Sequence, residues 1–273
     1  MNPPLNILVA YPYVTKGVIS ALLDLPEGSR FLLDCGAFTA WAGGKPIALD
    51  DYCRFIETLP ITPWRYFALD VIGDPEATRV NYEIMLDRGF KPVPILTPGE
   101  SLDVMDSYWE TSEVVGIGGL TGMGPKKHGY VRALVRHAAG RKLHLLGYTS
   151  PKWLMHHRPY MCDASTWESG ARYGALNLYM GGGRFAAITK ADFAQRPATE
   201  ILDRIQALGV DPYAMAKNAA WSGGNSCSRN LGAASWVAYS MDLERTLGTK
   251  LFLANAQEYS LRIIAKTYRR LAL

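Results

Sequence analysis

The chain has 273 residues, of which 48% are hydrophobic and 11% aromatic, a composition that excludes a disordered or fibrous protein. The net charge is only +4, from 29 basic and 25 acidic residues, so it permits a polyanionic partner without requiring one. The length suits one α/β barrel, a fold that commonly takes about 250 residues. We therefore predict a single domain over residues 1–273.

Short apolar runs alternate with amphipathic stretches in the first half of the chain. Predicted strands cover residues 6–10, 30–34, 66–70, 91–96, 114–118 and 142–146, and predicted helices cover 16–23, 49–59, 102–111 and 130–139. A further helix is predicted to begin at Pro75, with Asp74 as its N-cap, and to end before Gly89. This alternation is typical of βα units in a parallel sheet.

The second half is less regular. A seventh strand is predicted at Met161, and the pattern loosens from Ala175 into an insertion or a distorted eighth strand with a glycine tip at 181–183. Helices are predicted at 198–208, 231–246 and 256–271, with a short strand-like run at 251–253. We predict a TIM-type (β/α)8 barrel with an irregular insertion, a barrel core over about 5–210 and a helical extension over about 211–273.

Cysteine usage and the N-terminus bear on compartment. The four cysteines contain no CxxC pair, and all five histidines lie between His128 and His157, which argues against a clustered zinc site. Cys35 and Cys162 flank the proposed pocket, where a disulfide would be awkward. The sequence shows no signal peptide or membrane span. We predict a cytoplasmic protein without a membrane partner, in the host cytoplasm if a phage encodes it.

Three aspartates follow predicted strands, and we expect them to share a site. Asp34, Asp70 and Asp163 each end a short apolar run. In a barrel of parallel strands the C-terminal strand ends converge, so side chains distant in sequence can surround one small ligand. One carboxylate can act as a nucleophile, another as a general acid or base, and a third as a hydrogen-bond acceptor. The alternative is that Asp34 and Asp70 only cap helices or hold loops.

Ordered motifs between Phe31 and Gly174 resemble those of the tRNA-guanine transglycosylases, and more closely their shorter relatives that insert 7-deazaguanines into DNA in phages and some bacteria. The motifs are LLDCGAF, FALDVIGDP, VGIGGL, HLLGY and YMCDAST. The resemblance implies that Asp163 is the nucleophile and Asp34 the general acid/base. It also implies a set of base-binding residues, namely Asp70, Phe38, Gly118, Gly119, Leu120, Leu146 and Gly147.

The chain departs from that family pattern at several positions. The family's zinc site, three clustered cysteines and a histidine, is absent, because Cys227 stands alone and no histidine follows Cys162. The base-reading glutamine has no counterpart in PVPILTPGE, and Cys35 replaces the usual serine. The resemblance implies no metal or redox cofactor, and loss of the zinc subdomain favours DNA over tRNA as the substrate.

The expected reaction is the exchange of guanine in DNA for a free 7-deazaguanine base such as preQ0. It proceeds by double displacement through a covalent ester of Asp163, and the target nucleotide must be flipped out or single-stranded. Candidate phosphate contacts are Arg172, Arg184, Lys190 and, on the last helix, Arg262, Lys266, Arg269 and Arg270. For that helix, a solvated surface is the alternative. Alternative functions are a tRNA-guanine transglycosylase, an N-glycosidase that uses water, and a non-catalytic nucleic-acid-binding subunit.

Overall fold

A curled, parallel sheet of eight strands lies at the centre of the protein. The computed structural model describes residues 2–195, 197–221 and 226–273. In those residues the strands are β1 (Asn6–Ala10), β2 (Arg30–Asp34), β3 (Arg65–Tyr66), β4 (Ile95–Leu96), β5 (Val114–Ile117), β6 (Lys142–Leu145), β7 (Met161–Ala164), β8 (Ala175–Gly181), β9 (Arg184–Thr189) and β10 (Lys250–Asn255). The sheet has the order β3-β2-β1-β10-β7-β6-β5-β4.

Backbone hydrogen bonds also connect segments next to the two edge strands. Phe67, directly after β3, forms a parallel bridge with Val93, which precedes β4. The Ala68 N–H donates to the Val93 carbonyl (2.9 Å), and the Val93 N–H donates to the Tyr66 carbonyl (2.8 Å). The sheet is therefore curled, and the segments next to its two edge strands are hydrogen-bonded to each other.

Both faces of the sheet are buried, as expected for near-continuous apolar strands. Side chains on the inner face form their own cluster: Leu8, Leu32, Phe67, Val93, Ile95, Val114, Met161 and Phe252. Alternate residues of the same strands, such as Ile7, Leu33 and Val115, belong to a larger cluster that helices cover. Side chains two residues apart on a strand share a face, so Asp34 and Asp163 lie on the inner side, after Leu32 and Met161.

Helices follow the strands of the sheet. They are α1 (Lys16–Leu23), α2 (Ala37–Ala42), α3 (Leu49–Thr58), α4 (Pro75–Asp87), α5 (Leu102–Thr111), α6 (Lys127–Ala138), α7 (Pro151–His157), α8 (Ser169–Tyr173), α9 (Lys190–Ala194), α10 (Thr199–Ala207), α11 (Cys227–Leu247) and α12 (Glu258–Leu271). Helix α4 begins as predicted, because the Asp74 side chain accepts a hydrogen bond from the Ala77 N–H (3.0 Å). The stretch directly after Asp34, for which no helix was predicted, contains α2.

The eighth strand of the sheet differs from the prediction. It is β10, which pairs with both β1 and β7. The stretch predicted as an insertion or a distorted strand forms the antiparallel hairpin β8–β9, a separate sheet of two strands. The hairpin, α10 and the start of α11 share a second hydrophobic cluster that includes Leu178, Ile188 and Ile205. The distorted-strand alternative was wrong, and the region expected to be a helical extension supplies a central strand.

A polar network occupies the N-terminal ends of the strands. Arg30 on β2 forms an ion pair with Glu244 on α11 (2.6 Å). Asn6 on β1 donates to Glu244 Oε2 (3.0 Å) and accepts from Arg30 (3.2 Å). The Arg30 guanidinium also lies 5.4 Å from the centre of the Trp64 ring. Each charged group in this network therefore has a partner.

Within the described ranges, no helix is long and apolar enough to cross a membrane.

Candidate active site

Asp163 extends from β7 on the inner face of the sheet, and two N–H groups position its carboxylate. The His144 ring nitrogen Nε2 lies 3.0 Å from Asp163 Oδ1, and the backbone N–H of Gly147 donates to the same oxygen at 2.9 Å. Gly147 adopts a φ of +63°, which turns its N–H toward the carboxylate. Both of these hydrogen bonds use Oδ1, and Oδ2 has no hydrogen-bond partner among the described residues.

His144 is fully buried on β6, against the edge of the Phe67 ring at a centroid distance of 4.9 Å. Its Nδ1 atom has no hydrogen-bond partner among the described residues. A proton on Nδ1 would be a buried donor without an acceptor, so the tautomer with its proton on Nε2 fits the site. His144 therefore donates to Asp163.

Asp34 ends β2, and its surroundings disfavour the charged form. Burial, then the charge of Asp163, and to a lesser extent that of Asp70, raise the pKa of Asp34 to about 7. The N–H of Gly36 donates to Asp34 Oδ2 (3.0 Å) and opposes this shift. Gly36 has a φ of +80°, and a Cβ there would lie 2.3 Å from Pro12, so only glycine fits. Asp34 can thus both hold and release a proton near neutral pH.

Asp70 is 9% exposed and lies beyond β3. It accepts a hydrogen bond from the Thr78 hydroxyl (2.9 Å), and its own N–H donates to Cys35 Sγ (3.5 Å). Burial raises the pKa of Asp70, the Thr78 hydroxyl and the Val71 N–H oppose this, and Glu100 adds to it. Cys35 therefore links the ends of the two segments that carry Asp34 and Asp70.

The structure brings the three aspartates together, as the sequence predicted. Asp163 and Asp70 both act on the pKa of Asp34, which requires them to be close. None of the three forms an ion pair with lysine or arginine within the described ranges. The site therefore concentrates negative charge without a cation to balance it.

The residues expected to bind a base occupy different environments. Phe38 on α2 is 64% exposed, so its ring is accessible for stacking. The Gly118 N–H already donates to the Leu96 carbonyl (2.9 Å), which leaves its carbonyl for a ligand. Gly119 precedes the 3-10 segment Leu120–Lys126, and the Leu120 side chain is buried. Of these glycines, Gly118 is thus placed to accept a hydrogen bond from a ligand rather than to donate one.

The HLLGY segment contributes to the site in an unexpected way. Leu146 is partly buried and packs against the inner cluster of the sheet. Gly147 holds Asp163 through its N–H, so it positions the expected nucleophile. His144, two residues before Leu146 on the same face of β6, was missed by the sequence analysis. The period of two along a strand puts His144 on the same face as Leu146. The pairing of β6 with β7 then brings that face beside Asp163.

Glu100 is a second residue that the sequence analysis missed. It follows β4, and its Oε2 accepts hydrogen bonds from the N–H (2.6 Å) and the hydroxyl (2.9 Å) of Thr97. Its charge helps to raise the pKa of Asp70. It lies in PVPILTPGE, the segment where no counterpart of the family's glutamine was found.

Three of the candidate phosphate contacts lie beyond β7. Arg172 on α8 is exposed and forms an ion pair with the buried Glu168 (2.5 Å). Arg184 is exposed at the tip of the β8–β9 hairpin. Lys190 is exposed at the start of α9. Of these three, Arg172 already has an anionic partner within the chain.

The last turn of α12, which carries Arg269 and Arg270, lies at the opposite end of the strands from the three aspartates. The Tyr268 hydroxyl donates to the Pro3 carbonyl (2.9 Å), and Asn2 donates to the Ala272 carbonyl (2.7 Å). The last turn of α12 therefore lies beside the chain that enters β1, at the N-terminal end of the strands. The aspartates lie at their C-terminal ends.

Most of these α12 side chains make contacts within the chain. Arg270 donates to the carbonyls of Leu208 and Gly209 (both 2.7 Å), which end α10. Arg269 donates to the Asp24 carbonyl, and Arg262 pairs with Glu258 (2.8 Å). Lys266 is exposed. Arg269 and Arg270 thus also bind the ends of α1 and α10, and the phosphate contacts expected of this helix stay a prediction.

Comparisons with known proteins assign no family to the chain. No protein-family model matches it, and no curated protein matches it. The functional argument therefore depends on the residues themselves.

Cavities and possible metal ligands complete the description of the site. A cavity of about 650 Å³ lies beside α2, between Pro12, Thr39 and Ile47. Asp34, Asp70 and Asp163 do not line this cavity. Helix α2 lies between the cavity and the end of β2.

Across the described ranges, no group of three His, Cys, Asp or Glu residues is arranged to hold a metal ion. All four cysteines are free thiols.

Proposed function

We propose that the protein is a glycosyltransferase that exchanges guanine in DNA for a free 7-deazaguanine base through a covalent Asp163–deoxyribosyl ester. The observation that supports it most is the pairing of two unlike carboxylates on one side of the sheet. Asp163 is held on one oxygen by two N–H donors, whereas Asp34 has a pKa of about 7. Two carboxyl groups with different surroundings suit a nucleophile and a general acid/base.

In the first step, Asp163 Oδ2 attacks C1′ of the target nucleotide. The bond between C1′ and the guanine nitrogen breaks, its electron pair goes to that nitrogen, and Asp34 donates a proton to it. In the second step, Asp34 removes the proton from the incoming 7-deazaguanine. That nitrogen attacks C1′ from the opposite side and expels Asp163, so the configuration at C1′ is retained.

Asp34 must donate a proton in one step and accept one in the next. A pKa near the working pH serves both steps, since neither protonation state is costly to reach. The buried Asp70 and the exposed ring of Phe38 are proposed to accept the N–H groups of the base and to stack on it. In this proposal the curled sheet is a TIM-type barrel, which the Phe67–Val93 bridge supports.

The test is a base-exchange assay. Purified protein is mixed with labelled guanine or labelled 7-deazaguanine, and with double-stranded DNA, single-stranded DNA and tRNA in parallel. Asp163→Ala is compared with Asp74→Ala, which removes an acid from the end of the neighbouring helix, outside the proposed mechanism. We expect label in DNA for the wild type and for Asp74→Ala, and none for Asp163→Ala.

Other outcomes identify the alternatives. Label that enters tRNA but not DNA would establish the tRNA reaction. Abasic sites without incorporated label would make water the acceptor. Binding to nucleic acid with neither label nor abasic sites would leave a non-catalytic subunit. Full exchange by a folded Asp163→Ala variant would overturn the proposed mechanism.

A further inference from the structure

Positive charge is concentrated in one stretch of the chain. Between Glu113 and Asp163 the sequence has no aspartate or glutamate, but four lysines and four arginines. The whole chain carries only +4, so the remainder has a net negative charge. This stretch supplies β5, β6, α6, α7 and the loops that follow the two strands. An excess of positive charge on consecutive elements creates a local positive potential, which the small net charge of the whole chain does not reveal.

The fold gathers several of these cations on one surface. We name Lys126, Lys127, Arg132 and Lys152 the basic face. Lys126, Arg132 and Lys152 are exposed and Lys127 is partly exposed. None of the four forms an ion pair among the described residues, in contrast to Arg141 and Lys142 of the same stretch, which pair with Asp106 and Glu113. The positive charge of the basic face is therefore open to a ligand.

A short series of contacts connects the basic face to the expected nucleophile. Gly147 donates to Asp163, and the next residue, Tyr148, has its hydroxyl 2.7 Å from His128 Nδ1. The Lys127 Nζ atom lies 5.8 Å from the centre of the Tyr148 ring. The basic face is therefore connected to Asp163 through Tyr148 and Gly147, at the same ends of the strands.

An aromatic stack lies within the basic face. The Trp153 ring lies parallel to His128 (4.4 Å between centroids) and to His157 on its other side (5.6 Å). The Lys152 Nζ atom lies 5.4 Å from the Trp153 ring. Burial lowers the pKa of His128, and Lys127 and Lys152 lower it further. Both lysines are thus close enough to His128 for their charges to act on it.

We propose that the basic face binds the sugar–phosphate backbone of the nucleic-acid substrate and directs the target nucleotide to Asp163. This inference rests on the proposed function for its choice of partner. Lysines without anionic partners, near a carboxylate that must reach C1′, fit a polyanion whose reacting carbon belongs to the sugar that joins two charged phosphates. Arg184 extends this surface, because the neighbouring Gly183 lies against Met155 of α7.

The test compares two variants with the same change in net charge. Lys126→Gln/Lys127→Gln/Lys152→Gln neutralises the three lysines of the basic face. Lys91→Gln/Lys217→Gln/Lys266→Gln neutralises three exposed lysines elsewhere. Fluorescence anisotropy measures binding to a fluorescein-labelled oligonucleotide, single-stranded and duplex, over a series of salt concentrations. Vesicles of anionic lipid serve as a second polyanionic probe.

We expect the basic-face variant to lose at least about tenfold in affinity at moderate salt, and its salt slope to fall by about 2 to 3 for three lost phosphate contacts. The control should change less than about twofold. Equal losses in both variants, no loss in either, or binding to vesicles but not to the oligonucleotide would each overturn the proposal.

The base-exchange assay separates this proposal from the proposed function. Wild-type exchange with an unchanged kcat/KM in the basic-face variant would refute the basic face and leave the reaction standing. Binding that depends on the basic face, without exchange in the wild type, would refute the reaction and retain the binding surface.

Discussion

Buried ionisable groups at the two ends of the sheet differ in whether they have a partner of opposite charge. At the N-terminal ends of the strands, Arg30 and Glu244 form an ion pair that Asn6 completes with hydrogen bonds. At the C-terminal ends, Asp34 and Asp70 have raised pKa values, and neither has a cationic partner among the described residues. The first arrangement favours stability, whereas the second lowers stability when the buried acids are charged.

The difference shows how one sheet can separate two roles. A paired charge retains its ionisation state, so it can hold elements together but cannot exchange protons near neutral pH. An unpaired, buried carboxyl group takes up or releases a proton with a small change in pH. Substitutions at the two ends should therefore have opposite effects on stability and activity.

The largest expected effect is that of Asp34→Asn. The raised folded pKa means that the native state binds this proton more tightly than the unfolded state does. Wild-type stability therefore falls as pH rises from the ordinary value of 3.8 to about 7. Asparagine does not ionise, so the variant should be more stable than the wild type by about 2–4 kcal/mol at pH 8 and by little near pH 4.

The same substitution should lower the rate of base exchange by about 10²–10⁴-fold, because the general acid/base is lost. Urea unfolding over a pH series and the exchange assay measure the two effects. Asp74→Asn is the control, since asparagine caps a helix as well as aspartate does. A variant less stable than the wild type at pH 8 would contradict the raised pKa.

Glu244→Ala tests the opposite end. Removal of the carboxylate leaves Arg30 and Asn6 without their shared partner, and we expect a loss of about 2–3 kcal/mol in the free energy of unfolding. The exchange rate of the folded fraction should stay unchanged. Urea unfolding and a titration of active sites measure these quantities. If the folded variant lost activity, the two ends would not be independent.

Substitutions of His144 examine how Asp163 is positioned. His144→Leu removes the donor to Asp163 Oδ1 and should lower kcat by roughly 10–100-fold through misplacement of the nucleophile. His144→Gln retains an N–H donor and should restore part of that loss. The variants are compared in single-turnover exchange. Equal rates for leucine and glutamine would mean that the hydrogen bond does not matter.

The smallest expected effect is that of Asp74→Ala. Loss of the N-cap of α4 should cost about 1 kcal/mol of stability and leave the exchange rate unchanged. Thermal unfolding and the exchange assay measure both. A complete loss of turnover in folded protein would show that Asp74, rather than the cap alone, belongs to the site.

Local patterns predicted much of the fold. The bounds of β1, β2 and α5 agree with the prediction, because each coincides with a clear apolar period and clear end signals. The positions of Asp34 and Asp163 at strand ends followed from the same patterns. What these residues do chemically stays a prediction.

Long-range partners explain the features that the sequence did not reveal. β10 is a short apolar run between two helices, and only its pairing with β1 and β7 shows it to be a central strand. The sequence does not show that Arg269 and Arg270 of α12, which are exposed, also donate hydrogen bonds to the ends of α1 and α10. His144 required knowledge that β6 and β7 are neighbours.

The position of β10 also determines when the central sheet can form during synthesis. Ile7 on β1 pairs with Leu253 on β10, near the two ends of the chain. During synthesis, β1 and β7 each keep an unpaired edge until the ribosome has made β10. Contacts between such distant residues slow folding, and exposed apolar edges promote aggregation. A chain that stops before Lys250 would therefore be a target for chaperones or proteases rather than a shorter folded protein.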